Sequence, residues 1–250
     1  MGQKRDNCII LLIDAPVPER VAPELIAAFG AERAERVNLD LLQNAYKLAK
    51  NFKDAILLLS FDKSSRHPDL TWLDSDDPGF LEAKGKNPED RITEAFQLAF
   101  NTGAKKALLL NHLSPEVKPE WIRQTFDAVA DKTISLGVNR DGSLYLVGLT
   151  FSSLKILERL SFLSVKAAEE ISERAKKNKL GVFSLPETDA VKTEDSLLKW
   201  VDAKDSSPSP FMSAAPSFPA APLEEKRPGR RAHKNTAPQP PAPAAEKPPL

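Results

Sequence analysis

Cys8-Ile9-Ile10-Leu11-Leu12-Ile13 is an unbroken apolar run closed by Asp14. It shows no polar alternation, so it predicts a strand buried on both faces, as in a parallel sheet covered by helices. Ala55–Phe61 and Ala107–Leu110 read the same way. Around these runs, apolar residues fall at three- and four-residue spacing over Val21–Phe29, Leu39–Phe52, Glu89–Phe100, Pro119–Ala130, Val165–Lys177 and Thr193–Val201, which predicts helices. Gly30 breaks the first pair, and Pro88 and Pro119 sit near helix starts, where the missing N–H costs nothing. Thr133–Val138, Ser143–Leu149 and Gly181–Leu185 complete the strands, with Asn139-Arg140-Asp141-Gly142 as the turn of a local antiparallel excursion. Alternation of this kind implies an α/β fold, a three-layer, doubly wound and mostly parallel sheet.

The first run resembles an export signal after Lys4 and Arg5, but six residues fall short of the roughly 7–15 of an export core. Asp6 spoils a myristoylation pattern after Gly2. No stretch approaches the roughly 20 apolar residues of a membrane span, so a soluble, cytoplasmic protein is expected. Among 250 residues, 35 Lys+Arg balance 35 Asp+Glu, which argues against nucleic acid as a partner. One cysteine, Cys8, excludes an intramolecular disulfide, and the three histidines lie too far apart in sequence for a zinc helix.

Residues 62–87 read as a long polar connection punctuated by Pro68, Pro78 and Pro88, of the kind that serves as a lid or insertion. Of 21 prolines, 12 follow position 203. The expected organisation is therefore a globular domain over 1–203 and a disordered Pro/Ala-rich tail over 204–250, with a basic island at 226–234. Pro240-Pro241-Ala242-Pro243 in that tail is a candidate docking segment for a protein partner.

Ligands of open α/β sheets bind beyond the carboxyl ends of the strands. Those ends carry Asp14-Ala15-Pro16, Asn111-His112-Leu113-Ser114-Pro115 and Arg140-Asp141-Gly142. Glycine is absent from position 3 to 29, which disfavours a dinucleotide fingerprint or a P-loop after the first strand. Asp14 reads as a catalytic carboxylate or a strand-end cap. His112, beside Asn111 and Ser114, reads as a general base or a structural loop residue. Asp141 reads as a cation or ribose ligand, or as ordinary Asp-Gly turn chemistry. Trp72 and Trp121 are stacking candidates, Trp121 also fitting a core position. Glu187, Asp189, Glu194 and Asp195 form a run of carboxylates, the last two suited to a helix's first turn.

Five segments in order carry a resemblance. Ala15-Pro16-Val17-Pro18-Glu19-Arg20-Val21-Ala22-Pro23-Glu24-Leu25 is similar to A-P-V-P-G-R-V-K-T-R-L, and Glu89-Asp90-Arg91-Ile92-Thr93-Glu94-Ala95-Phe96 to G-E-R-M-x-x-A-F. Leu109-Leu110-Asn111-His112-Leu113-Ser114-Pro115 falls on L-I-G-S-D-S-P, Asp141–Leu149 on D-G-G-Y-Y-L-I-G-L, and Asp189–Asp195 on D-V-D-T-P-E-D. Residues 8–200 thereby resemble a bacterial glycosyltransferase-A-like family, known as arsenosugar-biosynthesis glycosyltransferases and formerly a domain of unknown function. The resemblance implies a nucleotide-diphospho-sugar transferase fold and a divalent cation bridging the donor phosphates.

Departures from those motifs fall at the strand ends. Ala22 and Glu24 stand where the family places Lys and Arg, Glu19 replaces a glycine, Asp14 replaces a lysine, and Arg20 alone stays basic. A carboxylate near a diphosphate turns attraction into repulsion of about 1 kcal/mol or more per close pair. Leu113 and Val191 occupy the implied metal-ligand positions, and neither can ligate a hard cation, so no metal cofactor is expected. Both are expected to be buried among hydrophobes. Asp141 and His112 are the candidate catalytic residues. Asp14, Ala15, Pro16, Arg20, Arg91, Asn111, Arg140 and Gly142 are the candidates for binding a nucleotide or nucleotide-sugar. Two readings follow: a glycosyltransferase-like protein without catalysis, acting as a binding or scaffold protein, or an active glycosyltransferase with a metal-independent donor site using His112, Arg140 and Asp141.

Overall fold

The structure is a computed structural model that describes residues 5–13, 21, 23–62, 73, 81–83, 88–162 and 164–206. Along the chain run β1 (Asn7–Ile13), α1 (Pro23–Phe29), α2 (Ala31–Lys50), β2 (Ala55–Asp62), β3 (Leu81–Ala83), α3 (Pro88–Asn101), β4 (Lys106–Leu110) and α4 (Pro119–Ala128). There follow β5 (Thr133–Val138), β6 (Leu144–Thr150), a 3-10 helix over Phe151–Leu157, α5 (Ala167–Lys177), β7 (Gly181–Ser184) and α6 (Glu194–Ser206). Among the described residues, one sheet takes all seven strands in the order β3-β2-β1-β4-β6-β5-β7. Only β6 runs against its neighbours, so the excursion expected at Asn139–Gly142 is the β5–β6 hairpin.

Why β1 shows no alternation is visible in its neighbours. Successive side chains of a strand point to opposite faces. Cys8 and Ile10 enter one apolar cluster with Phe96 of α3 and Ile171 of α5. Ile9, Leu11 and Ile13 enter another with Tyr46 of α2 and with Ile122 and Phe126 of α4. Both faces are dry, and the three-layer arrangement follows. Cys8 is buried there, and burial pushes its thiol up to about 12, so it stays protonated and unreactive at neutral pH.

Several elements differ from the sequence reading. Helix α2 begins at Ala31, eight residues before Leu39, because Gly30 with φ 74° ends α1 and the good helix formers after it propagate at once. The connection over 62–87 contains β3, which pairs with Ser60–Asp62 of β2 and is too short for a periodic signal. The 3-10 helix after β6 has no counterpart in the sequence reading, because its i→i+3 spacing lacks the 3.6-residue period of an α-helix. Helix α6 continues to Ser206, three residues past position 203: extending a formed helix adds one hydrogen bond per residue fixed. The tail with its basic island, Trp72 and most of the 62–87 connection lie outside the described residues. No helix among the described residues is long and apolar enough to cross a membrane.

A third apolar cluster closes the carboxyl end of the sheet. It joins Leu25 of α1, Ala34, Val37 and Leu41 of α2, and Leu197 and Trp200 of α6 around Leu113 and Val191.

Candidate functional site

The strand order reverses between β1 and β4, and the crevice at such a switch point is where open α/β sheets receive ligands. Beyond β4, Asn111 is buried and committed to the backbone. Its main-chain N–H donates to the Tyr145 carbonyl at 2.8 Å, its Nδ2 donates to the Leu144 carbonyl at 3.3 Å, and its Oδ1 accepts from the Leu113 amide at 3.0 Å. Asn111, expected at the ligand, thus ties β4 to β6 and bends the chain behind it. The bend turns Leu113 inward to 0% exposure. The Val191 amide donates to the Leu113 carbonyl at 2.7 Å, which brings the two together, and Val191 is 2% exposed.

His112 is half-buried and turns toward α2, where its Nε2 lies 2.8 Å from Asn38 Oδ1. An N–H on Nε2 donating to that amide oxygen fixes the tautomer and orients the ring. No sequence signal pairs a loop histidine with a helix asparagine 74 positions away.

The β5–β6 turn is dictated locally. Asp141 Oδ1 accepts from the Ser143 amide at 2.9 Å and from the Ser143 hydroxyl at 2.6 Å, an Asx turn. Gly142 has φ 86°, and a Cβ there would stand 2.1 Å from the Val165 carbonyl oxygen. Turn geometry and close approach both require a glycine here.

From this turn a chain of hydrogen bonds crosses the strand ends. The Ser114 hydroxyl donates to Asn139 Oδ1 at 3.0 Å, and Asn139 Nδ2 donates to the Ser143 hydroxyl at 3.0 Å. Ser143 in turn donates to Asp141, whose Oδ2 receives Lys192 Nζ at 2.7 Å; the same Nζ donates to Ser143 Oγ at 3.2 Å. Asn139 and Ser143 are buried, and the Lys192 side chain is only 15% exposed. Burial raises the Asp141 pKa, but the hydrogen bonds from Lys192 and from the Ser143 hydroxyl and amide outweigh it and hold the carboxyl below its ordinary value. A depressed carboxyl stabilises the fold above its unfolded pKa of about 3.9, and that contribution disappears as pH falls through the folded value. Asp141→Asn is therefore expected to melt below wild type at pH 7, with the gap closing below about pH 4; thermal melts across that range check it.

Lys192, Asn139, Ser143 and Ser114 escaped sequence reading as a group. Only Ser143, two residues after Asp141, carried a local signal, that of an Asx turn. Arg140 points elsewhere: it is exposed and ion-paired with Asp189, with Glu187 and Glu116 also contributing to its field. Arg91 of α3 is buried, its guanidinium reaching the Ile13 carbonyl at 3.4 Å and the Ser60 carbonyl at 3.5 Å, at the ends of β1 and β2. The chain thus places Arg91 and Arg140 at different strand ends, with β1 and β5 about 14 Å apart at three inter-strand spacings. His112, Arg140 and Asp141 each have a different partner. Trp121 packs its ring 5.7 Å from Tyr145, a partly buried core position. Asp14, Ala15, Pro16 and Arg20 lie outside the described residues.

Among the described residues, the donor set at the implied positions does not fit the divalent ion implied by the resemblance. Such an ion needs several hard oxygen ligands. At the two implied positions stand buried aliphatic side chains inside an apolar cluster, and the nearby Asp141 already holds an ammonium. No group of three or more His, Cys, Asp or Glu among the described residues is arranged to hold a metal.

Comparison with known proteins agrees with this architecture. Residues 46–165 match a family described as "Uncharacterized protein conserved in bacteria (DUF2064)". No curated protein sequence matches. Among solved structures, a candidate nucleotide-diphospho-sugar transferase from Desulfovibrio desulfuricans G20 is similar with a TM-score of 0.70 and 20% identity, over 81% of this chain and 90% of that one. A nucleotidyl transferase from Methanothermobacter is similar with a TM-score of 0.50 and 12% identity, over 79% of this chain and 96% of that one. With the sheet order, these likenesses show that the chain has the nucleotide-diphospho-sugar transferase fold.

Proposed function

We propose that this is a glycosyltransferase-like protein without transfer activity, a binding protein that takes a nucleotide or nucleotide-sugar without a divalent cation. One observation carries the reading: Leu113 and Val191, bonded to each other through the backbone, are buried in the cluster that fills the carboxyl end of the sheet. A cation bridging two phosphates stabilises the charge that develops on a leaving diphosphate. An aliphatic plug in its place leaves binding possible and removes that stabilisation. The candidate catalytic groups support the same reading, since His112 is turned to Asn38 and Asp141 to Lys192.

The test is a thermal-shift series on the full chain with UDP-, GDP-, ADP- and dTDP-linked sugars, each with Mn²⁺ and with EDTA. A ligand at about 100 times its Kd stabilises by roughly 2.7 kcal/mol. At about 2–4 °C per kcal/mol, the expected result is a rise of several degrees with at least one donor, equal in both conditions. A rise that requires Mn²⁺ would overturn the reading. Release of free sugar in the same samples would turn it toward an active, metal-independent transferase. No rise with any donor would leave a scaffold that binds protein.

A further inference from the structure

The mismatch between the donor set and a divalent ion has a specific counterpart in this chain. We propose that Lys192 supplies the site's cation internally, its ammonium contacting an anionic phosphoryl group of the bound ligand; this rests on the binding reading above. Lys192 follows Val191 directly, so the residue beside the aliphatic plug carries a fixed positive charge. Its side chain is folded onto the strand ends: Nζ donates to Asp141 at 2.7 Å and to Ser143 at 3.2 Å. An ammonium has three donors, and the third has no partner among the described residues.

Two features distinguish this lysine from a surface charge. With 15% of its side chain exposed, it sits where screening by water and salt is weak, and an approaching anion interacts more strongly than at an exposed residue. Its position is also fixed, because the chain from Ser114 through Asn139 and Ser143 to Asp141 holds both acceptors in place. Arg140 lacks both properties. It is 61% exposed and surrounded by Asp189, Glu187 and Glu116, so its charge is cancelled locally. The carboxylate that Lys192 meets, Asp141, shares its charge with both donors of Ser143.

The experiment is calorimetric titration of the full chain with UDP and with inorganic pyrophosphate, in EDTA, for wild type, Lys192→Met, Lys192→Arg and Lys105→Met. Lys105 adjoins the opposite end of β4, is exposed and pairs with Asp6, so it serves as the charge-matched control. A hydrogen bond to a charged group contributes about 1.5–3 kcal/mol, so Lys192→Met is expected to weaken binding roughly 10- to 100-fold. Lys192→Arg should recover part of that loss, and Lys105→Met should match wild type. A folded Lys192→Met that binds UDP as wild type does overturns the inference and leaves the binding reading standing. Failure of wild type to bind either probe removes both. Should Lys192→Met fail to fold, lysine-ammonium NMR on wild type decides: a pyrophosphate-induced shift confined to Lys192 supports the inference, and an unmoved Lys192 signal with bound pyrophosphate overturns it.

Discussion

Leu113→Asp, which writes a carboxylate back at the position implied for a metal ligand, is expected to unfold the protein at neutral pH and to add no affinity for Mn²⁺. Leu113 is fully buried, in one apolar cluster with Leu25 of α1, Leu41 of α2 and Trp200 of α6. Removing most of a buried leucine costs about 2–5 kcal/mol, and a buried unpaired carboxylate adds several more. Together these rival the roughly 5–15 kcal/mol that separates folded from unfolded domains. The pH dependence carries its own sign. Burial would raise the introduced carboxyl's pKa, so the neutral form is tolerated at low pH and the penalty grows as pH rises above about 4. Urea unfolding at pH 4.5 and pH 7, with and without Mn²⁺, measures both effects. A variant that is native-like at pH 7 and gains stability from Mn²⁺ would show that the position opens onto a cleft, and the proposed function would fall.

Gly142→Ala is expected to lower stability by roughly 2–5 kcal/mol, combining a left-handed backbone penalty with forced overlap. The overlap is with backbone rather than with a movable side chain: the added Cβ would lie 2.1 Å from the Val165 carbonyl oxygen. Gly142 also accepts from the Ala168 amide at 3.1 Å, so shifting the turn disturbs the start of α5 as well as the hairpin. For a domain of this size the fall in Tm would be about 4–20 °C, readable by calorimetry. Little or no change would mean that the turn repacks freely and that a ligand, rather than the fold, requires this glycine.

How much could be read beforehand differs between sheet and site. Strands β1, β2 and β4 were legible because burial on both faces leaves an uninterrupted apolar run, a local property of the chain. Helices α3 and α4 were legible because Pro88 and Pro119 mark their starts and one face of each is apolar. The edge strand β3 was not, because three residues leave no periodic trace, whereas β7 at the other edge was legible as Gly181–Leu185 although every residue of it is exposed.

At the candidate site the chemistry of the residues was legible and their partners were not. That Leu113 and Val191 cannot ligate a cation follows from their side chains alone. That they meet depends on a hydrogen bond between segments 78 positions apart. Asp141 and Gly142 were readable as turn chemistry because an Asx turn and a positive φ are set within four residues. Lys192 gave no signal, because nothing near it in sequence names the acceptors it reaches, 51 and 49 positions away.

The sequence by itself determined the layered α/β fold, the position of its hairpin and the aliphatic character of the plugged positions, since all three depend on local periodicity or side-chain type. Only the tertiary structure decided that His112 turns to Asn38, that Arg140 is cancelled by its carboxylate neighbours and that an ammonium rests beside the plug. Those outcomes are fixed by which strand ends and helices the packing brings within hydrogen-bond distance, and that distance is set by the whole chain.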